Sequence, residues 1–188
     1  FLVKILFIKE KRSESGLEGI STYLLNVCIE LNRLGIAYLV LYNARDLFYK
    51  KMVENNVKVE IVNFPASSAY NMFHRFFDVL RIRRLIHSIV LKEKITIINV
   101  HFPHLLGYLE ATWGIPIFAH WHGAFVENKP LKYFDSNKIL SPVSLINNIY
   151  KKHMVYSFSN AKNIVCPSIA AKNTASKCFL VPENKIKI

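Results

Sequence analysis

Two apolar stretches of strand character each end in histidines. His122 and Gly123 end the sequence IPIFAHWHG, and His101 and His104 lie at the end of the sequence ITIINVHFPH. The carboxyl ends of parallel strands in an open α/β sheet meet at one crevice, and such folds bind their ligands there. We therefore expect these polar groups to lie in a binding site.

His122 is the strongest single candidate for chemistry. An imidazole at the end of a central strand can hydrogen-bond a sugar hydroxyl or a phosphate, and it can act as an acid or a base near neutral pH. The alternative is a histidine whose hydrogen bonds are satisfied by packing alone. His120 precedes it by two residues, so both side chains should point to the same face of the sheet.

The same histidines raise the alternative of a metal site. Imidazole binds zinc and other transition metals, and both runs together supply His101, His104, His120 and His122. Neither a carboxylate nor a cysteine lies near them in the sequence to complete a coordination shell. We therefore expect no metal site.

A glycine-containing turn follows the first apolar run. Gly16 and Gly19 lie in it, and a turn at this position brings backbone N–H groups and a helix N-terminus to a ligand phosphate. The dinucleotide fingerprint Gly-x-Gly-x-x-Gly and the P-loop motif are both missing, which disfavours NAD and P-loop nucleotide binding. A flexible surface turn is the alternative.

Composition and charge narrow the class of protein. The chain has 188 residues, which fits one domain, and its mean hydropathy of +0.20 is high for an isolated soluble domain. Lys and Arg outnumber Asp and Glu by 25 to 13, and the net charge of +12 favours an anionic partner such as a nucleotide phosphate or an acidic lipid. Nucleic acid is not expected, because neither aromatic stacking on a sheet nor a helix-turn-helix pattern is evident.

The sequence gives no signal for secretion or for a membrane span. The chain has an odd number of cysteines, and they are widely spaced: Cys28, Cys166 and Cys178. This pattern favours free thiols in a reducing compartment. No apolar run approaches the roughly 20 residues that a span needs, and the first residues do not form a signal peptide. We expect a cytoplasmic protein. Because the last residues begin a further strand, we also expect the chain to be part of a larger protein.

Strand-like and helix-like segments alternate along the chain. Apolar runs predict strands at residues 3–8, 36–42, 57–62, 95–100, 115–120 and 162–166. Helical periodicity predicts helices at residues 20–34, from about 78, from 103 to about 113, from near 141, and from Ser168 to about 177. This alternation predicts a Rossmann-like α/β fold, a doubly wound and mainly parallel sheet with helices on both faces.

A basic segment covers residues 75–94. Its apolar positions Val79, Ile82, Ile86 and Ile89 predict one buried stripe, whereas Arg81, Arg84 and Ser88 lie opposite. The simplest interpretation is a solvated outer helix. The sharper interpretation is a docking face for an anionic membrane surface, helped by the phenylalanines just before the helix.

Several segments, taken in order, resemble one family. They are KILFI at 4–8, GISTYLLN from Gly19, residues 80–100, residues 116–123, AKNIVCPS ending at Ser168, and residues 182–188. They resemble the N-terminal domain of GT-B retaining glycosyltransferases of the family 4-like group, to which sucrose synthase, bacterial mannosyltransferases and capsule or lipopolysaccharide glycosyltransferases belong. The resemblance covers nearly the whole chain, and each motif is short.

The resemblance implies a division of labour between two domains. Residues 1–188 would form the acceptor-side half, and the nucleotide-sugar pocket would lie in a C-terminal domain absent from this chain. The enzyme would transfer a sugar from a nucleotide-sugar donor to a hydroxyl of a glycan or lipid-linked acceptor, with retention at the anomeric carbon. The donor is a substrate, and neither a cofactor nor a metal is implied. The isolated chain should have little or no activity.

The resemblance also implies roles for particular residues. The turn matching Gly16 to Gly19 would lie against the donor phosphates and the acceptor, and His122 would contact the donor sugar as the catalytic candidate. Gly123 and Ser168 would lie at the ends of matching strands, as donor- or acceptor-binding candidates.

Two departures from the family pattern affect these assignments. The family's adjacent glycine pair is replaced by Glu18 and Gly19, and its histidine-x-histidine pattern is replaced by His101-Phe-Pro-His104. Glu18, His101 and His104 are therefore binding candidates whose individual roles stay open. An α/β module that binds a nucleotide or phosphate without catalysis is the main alternative, and a Rossmann-type oxidoreductase is disfavoured by the missing fingerprint.

Overall fold

A computed structural model describes residues 2–11, 19–63, 72–101, 103–120, 159–179 and 181–188. Within these residues the strands are β1 (Lys4–Ile8), β2 (Ala37–Tyr42), β3 (Val59–Ile61), β4 (Ile97–Val100), β5 (Ile117–His120), β6 (Asn163–Val165) and β7 (Ile186–Lys187). They form one sheet in the order β3-β2-β1-β4-β5-β6-β7, and every neighbouring pair is parallel. The order runs outward in both directions from β1, which is the doubly wound arrangement that the alternation predicts.

Helices cover both faces of this sheet. The described helices are α1 (Gly19–Arg33), α2 (Leu47–Glu54), α3 (Met72–Lys92) and α4 (Ile169–Phe179), with 3-10 turns η1 (Pro103–Tyr108), η2 (Ala111–Trp113) and η3 (Glu183–Lys185). One apolar core, which includes Leu24 and Phe48, lies under α1 and α2. A second core, which includes Ile86 and Leu106, lies under α3, η1 and α4. The predicted Rossmann-like class is confirmed.

Three helices end in the same kind of turn before the strand that follows. Gly35, Asn56 and Lys94 have positive φ, and each donates its N–H to a carbonyl three residues earlier. The next residue in each case donates to a carbonyl five residues earlier, which completes the Schellman motif. These turns end α1, α2 and α3 and lead the chain to the amino ends of β2, β3 and β4.

The structure differs from the sequence predictions at three helices. The prediction of one helix from 103 to about 113 is wrong, because η1 and η2 are separate 3-10 turns on either side of Leu109. Gly107 lowers helix propensity in the middle of this segment, which favours the break. The helix α3 begins at Met72 rather than near 78, and α2 was not predicted although Asp46 accepts a hydrogen bond from Tyr49 N as its N-cap, at 3.1 Å. The helix expected near 141 lies outside the described residues.

Candidate functional site

The carboxyl ends of β1, β4 and β5 lie side by side in the centre of the sheet. Lys9 directly follows β1, His101 directly follows β4, and His120 is the last residue of β5. Because Val100 pairs with Ala119 in register, the next residues along, His101 and His120, face each other across the two strands. The structure thus brings together polar side chains from three strand ends, as the sequence predicts for the crevice of such a sheet.

The two histidines form a stacked pair. Their ring centroids are 4.9 Å apart and the planes differ by 8°. The Tyr23 ring of α1 lies 6.0 Å from His101 and 5.9 Å from His120, and the Phe7 ring of β1 lies 6.1 Å from His101. His101 is fully buried, whereas the Tyr23 side chain is 48% exposed. Tyr23 therefore connects the buried imidazole of His101 to the surface of the molecule.

Asn99 adds a hydrogen bond to this cluster. It lies on β4 two residues before His101, on the same face of the sheet, and its Nδ2 is 3.2 Å from Nε2 of His120. Burial lowers the pKa of the His120 imidazole, because the charged form is poorly solvated there. Asn99, His101, His120 and Tyr23 are called the histidine cluster below.

A buried lysine lies beside the histidine cluster in the next strand. Lys9 has no exposed surface, and its Nζ donates to the carbonyl oxygen of Glu10 at 3.1 Å. The same Nζ lies 5.4 Å from the ring centroid of Tyr42 and 5.2 Å from that of Phe48, within cation–π range. This cation is fixed directly beyond the carboxyl end of β1.

The first turn of α1 lies at the same edge. Gly19 is its first residue, and a Cβ added there would meet no described atom within 4 Å. Ser21 is fully buried, and its Oγ has no hydrogen-bond partner among the described residues. The helix dipole and the N–H groups of a first helical turn, which have no partner within the helix, favour an anion.

Ser168 lies three residues beyond the end of β6 and directly before α4. Its Oγ accepts a hydrogen bond from Ala171 N at 3.2 Å, so the predicted cap of α4 is confirmed. The side chain is exposed, as is that of Ile169. A role for Ser168 in ligand binding stays a prediction.

The remaining predicted site residues are described only in part or not at all. His104 lies on η1, and its side chain is outside the description. Gly16, Glu18, His122 and Gly123 lie outside the described residues, so their roles stay predictions. Within the part of the chain that the structure describes, no three His, Cys, Asp or Glu side chains are grouped closely enough to hold a metal ion.

Sequence reasoning missed three residues of this edge. Asn99 alternates with His101 and thus shares its face, Tyr23 follows Gly19 by one helical turn, and Lys9 extends an apolar strand. Each signal is present in the sequence, but only the fold shows that all three meet the same strand ends.

Comparison with known proteins identifies a family. The model of Glycosyltransferase Family 4 matches residues 17–188. No curated protein matches the chain in sequence.

Solved structures with the same fold include enzymes of more than one kind. The glycosyltransferase from Rickettsia africae ESF-5 has a TM-score of 0.64 and 16% identity over 98% of this chain and 42% of its own. The lipopolysaccharide outer core galactosyltransferase WaaB has a TM-score of 0.62 and 15% identity over 99% and 45%. UDP-GlcNAc 2-epimerase from Methanocaldococcus jannaschii, in complex with UDP-GlcNAc and UDP, has a TM-score of 0.57 and 18% identity over 99% and 46%. The chain spans less than half the length of these structures, and at such identities they show the fold alone.

Proposed function

The chain belongs to glycosyltransferase family 4, and we propose that it forms the N-terminal, acceptor-side domain of an enzyme that transfers a sugar from a nucleotide-sugar donor to an acceptor hydroxyl. The observation that carries this proposal is the family match over residues 17–188. The position of the histidine cluster at the carboxyl edge of the sheet supports it, because α/β sheets of this topology bind ligands at that edge. A C-terminal domain outside this chain would supply the rest of the donor pocket.

The proposed reaction proceeds with retention at the anomeric carbon. Negative charge develops on the departing diphosphate, and fixed donors in a cleft stabilise such charge without moving. In this chain the first turn of α1 can provide N–H donors, and Lys9 adds a fixed positive charge just beyond the carboxyl end of β1. His122 would contact the donor sugar, and neither a metal nor a cofactor is part of the proposal.

We propose further that the acceptor belongs to a surface polysaccharide, a lipopolysaccharide or a glycolipid. The similarity in fold to a lipopolysaccharide galactosyltransferase supports this class of acceptor. The buried free thiols Cys28 and Cys166 support a reducing compartment, the cytoplasm, where we place the reaction.

The exposed side of α3 supports a docking face for anionic lipid. Arg81, Arg84, Lys92 and the leucines Leu85 and Leu91 are exposed along it, and Leu91 is 66% exposed. Cations beside exposed leucines are the composition of a helix that lies on an anionic membrane. Among the described helices, none has both the length and the hydrophobicity that a membrane crossing requires.

A donor screen on the full-length protein tests the proposed reaction. The screen offers UDP-, GDP- and ADP-sugars and measures nucleotide release and sugar transfer by the wild type and by His122→Ala. The control variant is His87→Gln, which changes a histidine on α3 that stacks on Trp113 at a centroid distance of 4.9 Å and is not a predicted site residue. We expect release of one nucleotide, lost in His122→Ala and kept in the control. Binding of a nucleotide without turnover by any donor would instead support a non-catalytic binding module.

Sedimentation with vesicles tests the docking face. We expect the protein to bind phosphatidylglycerol-containing vesicles and to bind neutral phosphatidylcholine vesicles weakly. Arg84→Glu with Lys92→Glu should weaken binding, whereas Lys50→Glu with Lys51→Glu on α2 makes the same charge change on another exposed helix surface and should weaken it less. Equal losses in both double variants would show attraction by net charge alone and contradict a specific face.

A further inference from the structure

The contact between Asn99 and His120 determines which nitrogen of the imidazole carries the proton. The Nδ2 of an amide can only donate, so the Nε2 of His120, 3.2 Å away, must accept. An imidazole whose Nε2 accepts is neutral and carries its proton on Nδ1. The two ring nitrogens point in nearly opposite directions, so the N–H of His120 points away from Asn99.

The surroundings of His120 favour this neutral form. The described groups that face it are His101 and Asn99 from β4, Tyr23 from α1, and its register partner Val165 on β6. If His101 were protonated, its positive charge would repel a positive charge on His120, because the two ring centroids are only 4.9 Å apart. Protonation of His120 would also place an N–H against the amide N–H of Asn99, which breaks the hydrogen bond.

Asn99 makes its one described side-chain hydrogen bond with His120. Its Oδ1 is buried and accepts no hydrogen bond from the described residues, so the amide is held through the imidazole rather than through a network of its own. A polar side chain in this position is costly for the fold alone, because a buried acceptor stays unsatisfied. This points to a role in arranging the histidine.

We propose that Asn99 is a positioning residue of the transfer reaction: it holds His120 as the neutral Nδ1–H tautomer, stacked on His101 at the carboxyl edge of the sheet. The predicted effect on turnover rests on the proposed function, whereas the predicted tautomer rests on the geometry alone. Asn99 thereby gives the site one fixed hydrogen-bond donor and keeps a proton off His120 as the solution becomes acidic. Protonation of His120 should then lower turnover.

The tautomer can be measured without any assay of activity. Long-range proton–nitrogen NMR correlations on the full-length protein labelled with 15N-histidine show which ring nitrogen is protonated, and His120→Gln identifies the signal. We expect the Nδ1–H form at pH 7.5, which is the minor form of free histidine. An Nε2–H form would show that the amide oxygen faces the ring, and an imidazolium would show a charged pair; either result overturns the proposal.

The effect on turnover is tested with Asn99→Asp. A carboxylate accepts from Nε2–H and stabilises the imidazolium, so the pKa of His120 should rise and the acid limb of kcat/KM should move up by about one pH unit. Asn163→Asp is the matched control, because Asn163 on β6 is a register neighbour of Phe118, as Asn99 is on the other side of β5, but has no described hydrogen bond to His120. Its acid limb should move less than half as far.

The outcomes separate this inference from the proposed function. An unshifted acid limb in a folded, active Asn99→Asp protein, or equal shifts in both variants, would overturn the positioning role. A protein that transfers no sugar but shows the Nδ1–H tautomer would contradict the proposed function and leave the arrangement of His120 intact. If Asn99→Asp does not fold, Asn99→Ser replaces it, and NMR should show that His120 has lost its preference for Nδ1–H.

Discussion

The two ends of β1 carry the same residue type in opposite surroundings. Lys4, at the amino end, keeps 23% of its side chain exposed and pairs with Glu93 at 2.5 Å. Lys9, just beyond the carboxyl end, has no exposed surface and lies against the rings of Tyr42 and Phe48. The difference extends along both edges of the sheet.

The amino edge is organised for stability. Glu93 also accepts a hydrogen bond from Lys58 at 3.1 Å, so one carboxylate joins two strands to the end of α3. The tight turns that end in Gly35, Asn56, Lys94 and Gly114, all with positive φ, lie at this edge before four successive strands. The charged groups at this edge are paired with one another and stay partly exposed to solvent, so the pairs form without full desolvation of the charges.

The carboxyl edge keeps polar groups at a cost to the fold. Lys9, His101 and Ser21 are fully buried there, although an apolar side chain would fill the same space without desolvating a charge or a hydrogen-bonding group. Such groups are expected where a site needs fixed donors and charges. The comparison of the two edges thus supports a functional assignment for one edge of the sheet.

The largest expected effect separates the two lysines. Lys9→Ala removes the aliphatic stem from the two rings and the donor from Glu10, so the free energy of unfolding should fall by about 2–4 kcal/mol. Lys4→Ala should lower it much less, because the Lys4 pair is partly exposed. Urea denaturation measures both.

A third variant separates volume from charge at this site. Lys9→Met fills nearly the same space without a buried charge, so it should recover most of the stability that Lys9→Ala loses. If Lys9→Ala were no more destabilising than Lys4→Ala, the two ends of β1 would not differ energetically and the comparison would fail.

Substitutions of two glycines should have smaller effects, on stability at the amino edge and on activity at the carboxyl edge. A Cβ at Gly19 or Gly35 meets no described atom within 4 Å, but Gly35 has a φ of +66°. Gly35→Ala should lower the free energy of unfolding by about 1–2 kcal/mol and leave kcat/KM unchanged. Gly19→Ala should leave stability unchanged and lower kcat/KM roughly tenfold, because a methyl group keeps a substrate phosphate from the backbone.

Chemical denaturation and transfer kinetics on the same preparations measure both glycine variants. A loss of stability in Gly19→Ala, or a loss of activity in Gly35→Ala with its fold intact, would show that the two edges do not divide these roles.

How much of this could be predicted from sequence depends on the range of the interaction. Helix α1 and its closing Gly35 follow from local periodicity and turn chemistry, and the strand ends at His101 and His120 follow from apolar runs. The stacking of those histidines depends on a register between strands about 20 residues apart, which no local pattern specifies. Likewise, nothing near Lys9 in the sequence shows that the rings of Tyr42 and Phe48 surround it.

The smallest expected effect concerns Glu93. Hydrogen bonds from Lys4 and Lys58 lower the pKa of the Glu93 carboxyl from 4.5 to about 2, so the native state binds fewer protons than the unfolded state between these values. Its contribution to stability is therefore complete above about pH 4.5 and is lost as the pH falls towards about 2. Glu93→Gln should lower Tm slightly at pH 7 and make Tm less sensitive to acid in this range, with kcat/KM at pH 7 unchanged. Thermal unfolding from pH 7 to pH 3 measures this, and an equal acid sensitivity in Glu93→Gln would show that this carboxylate does not stabilise the amino edge.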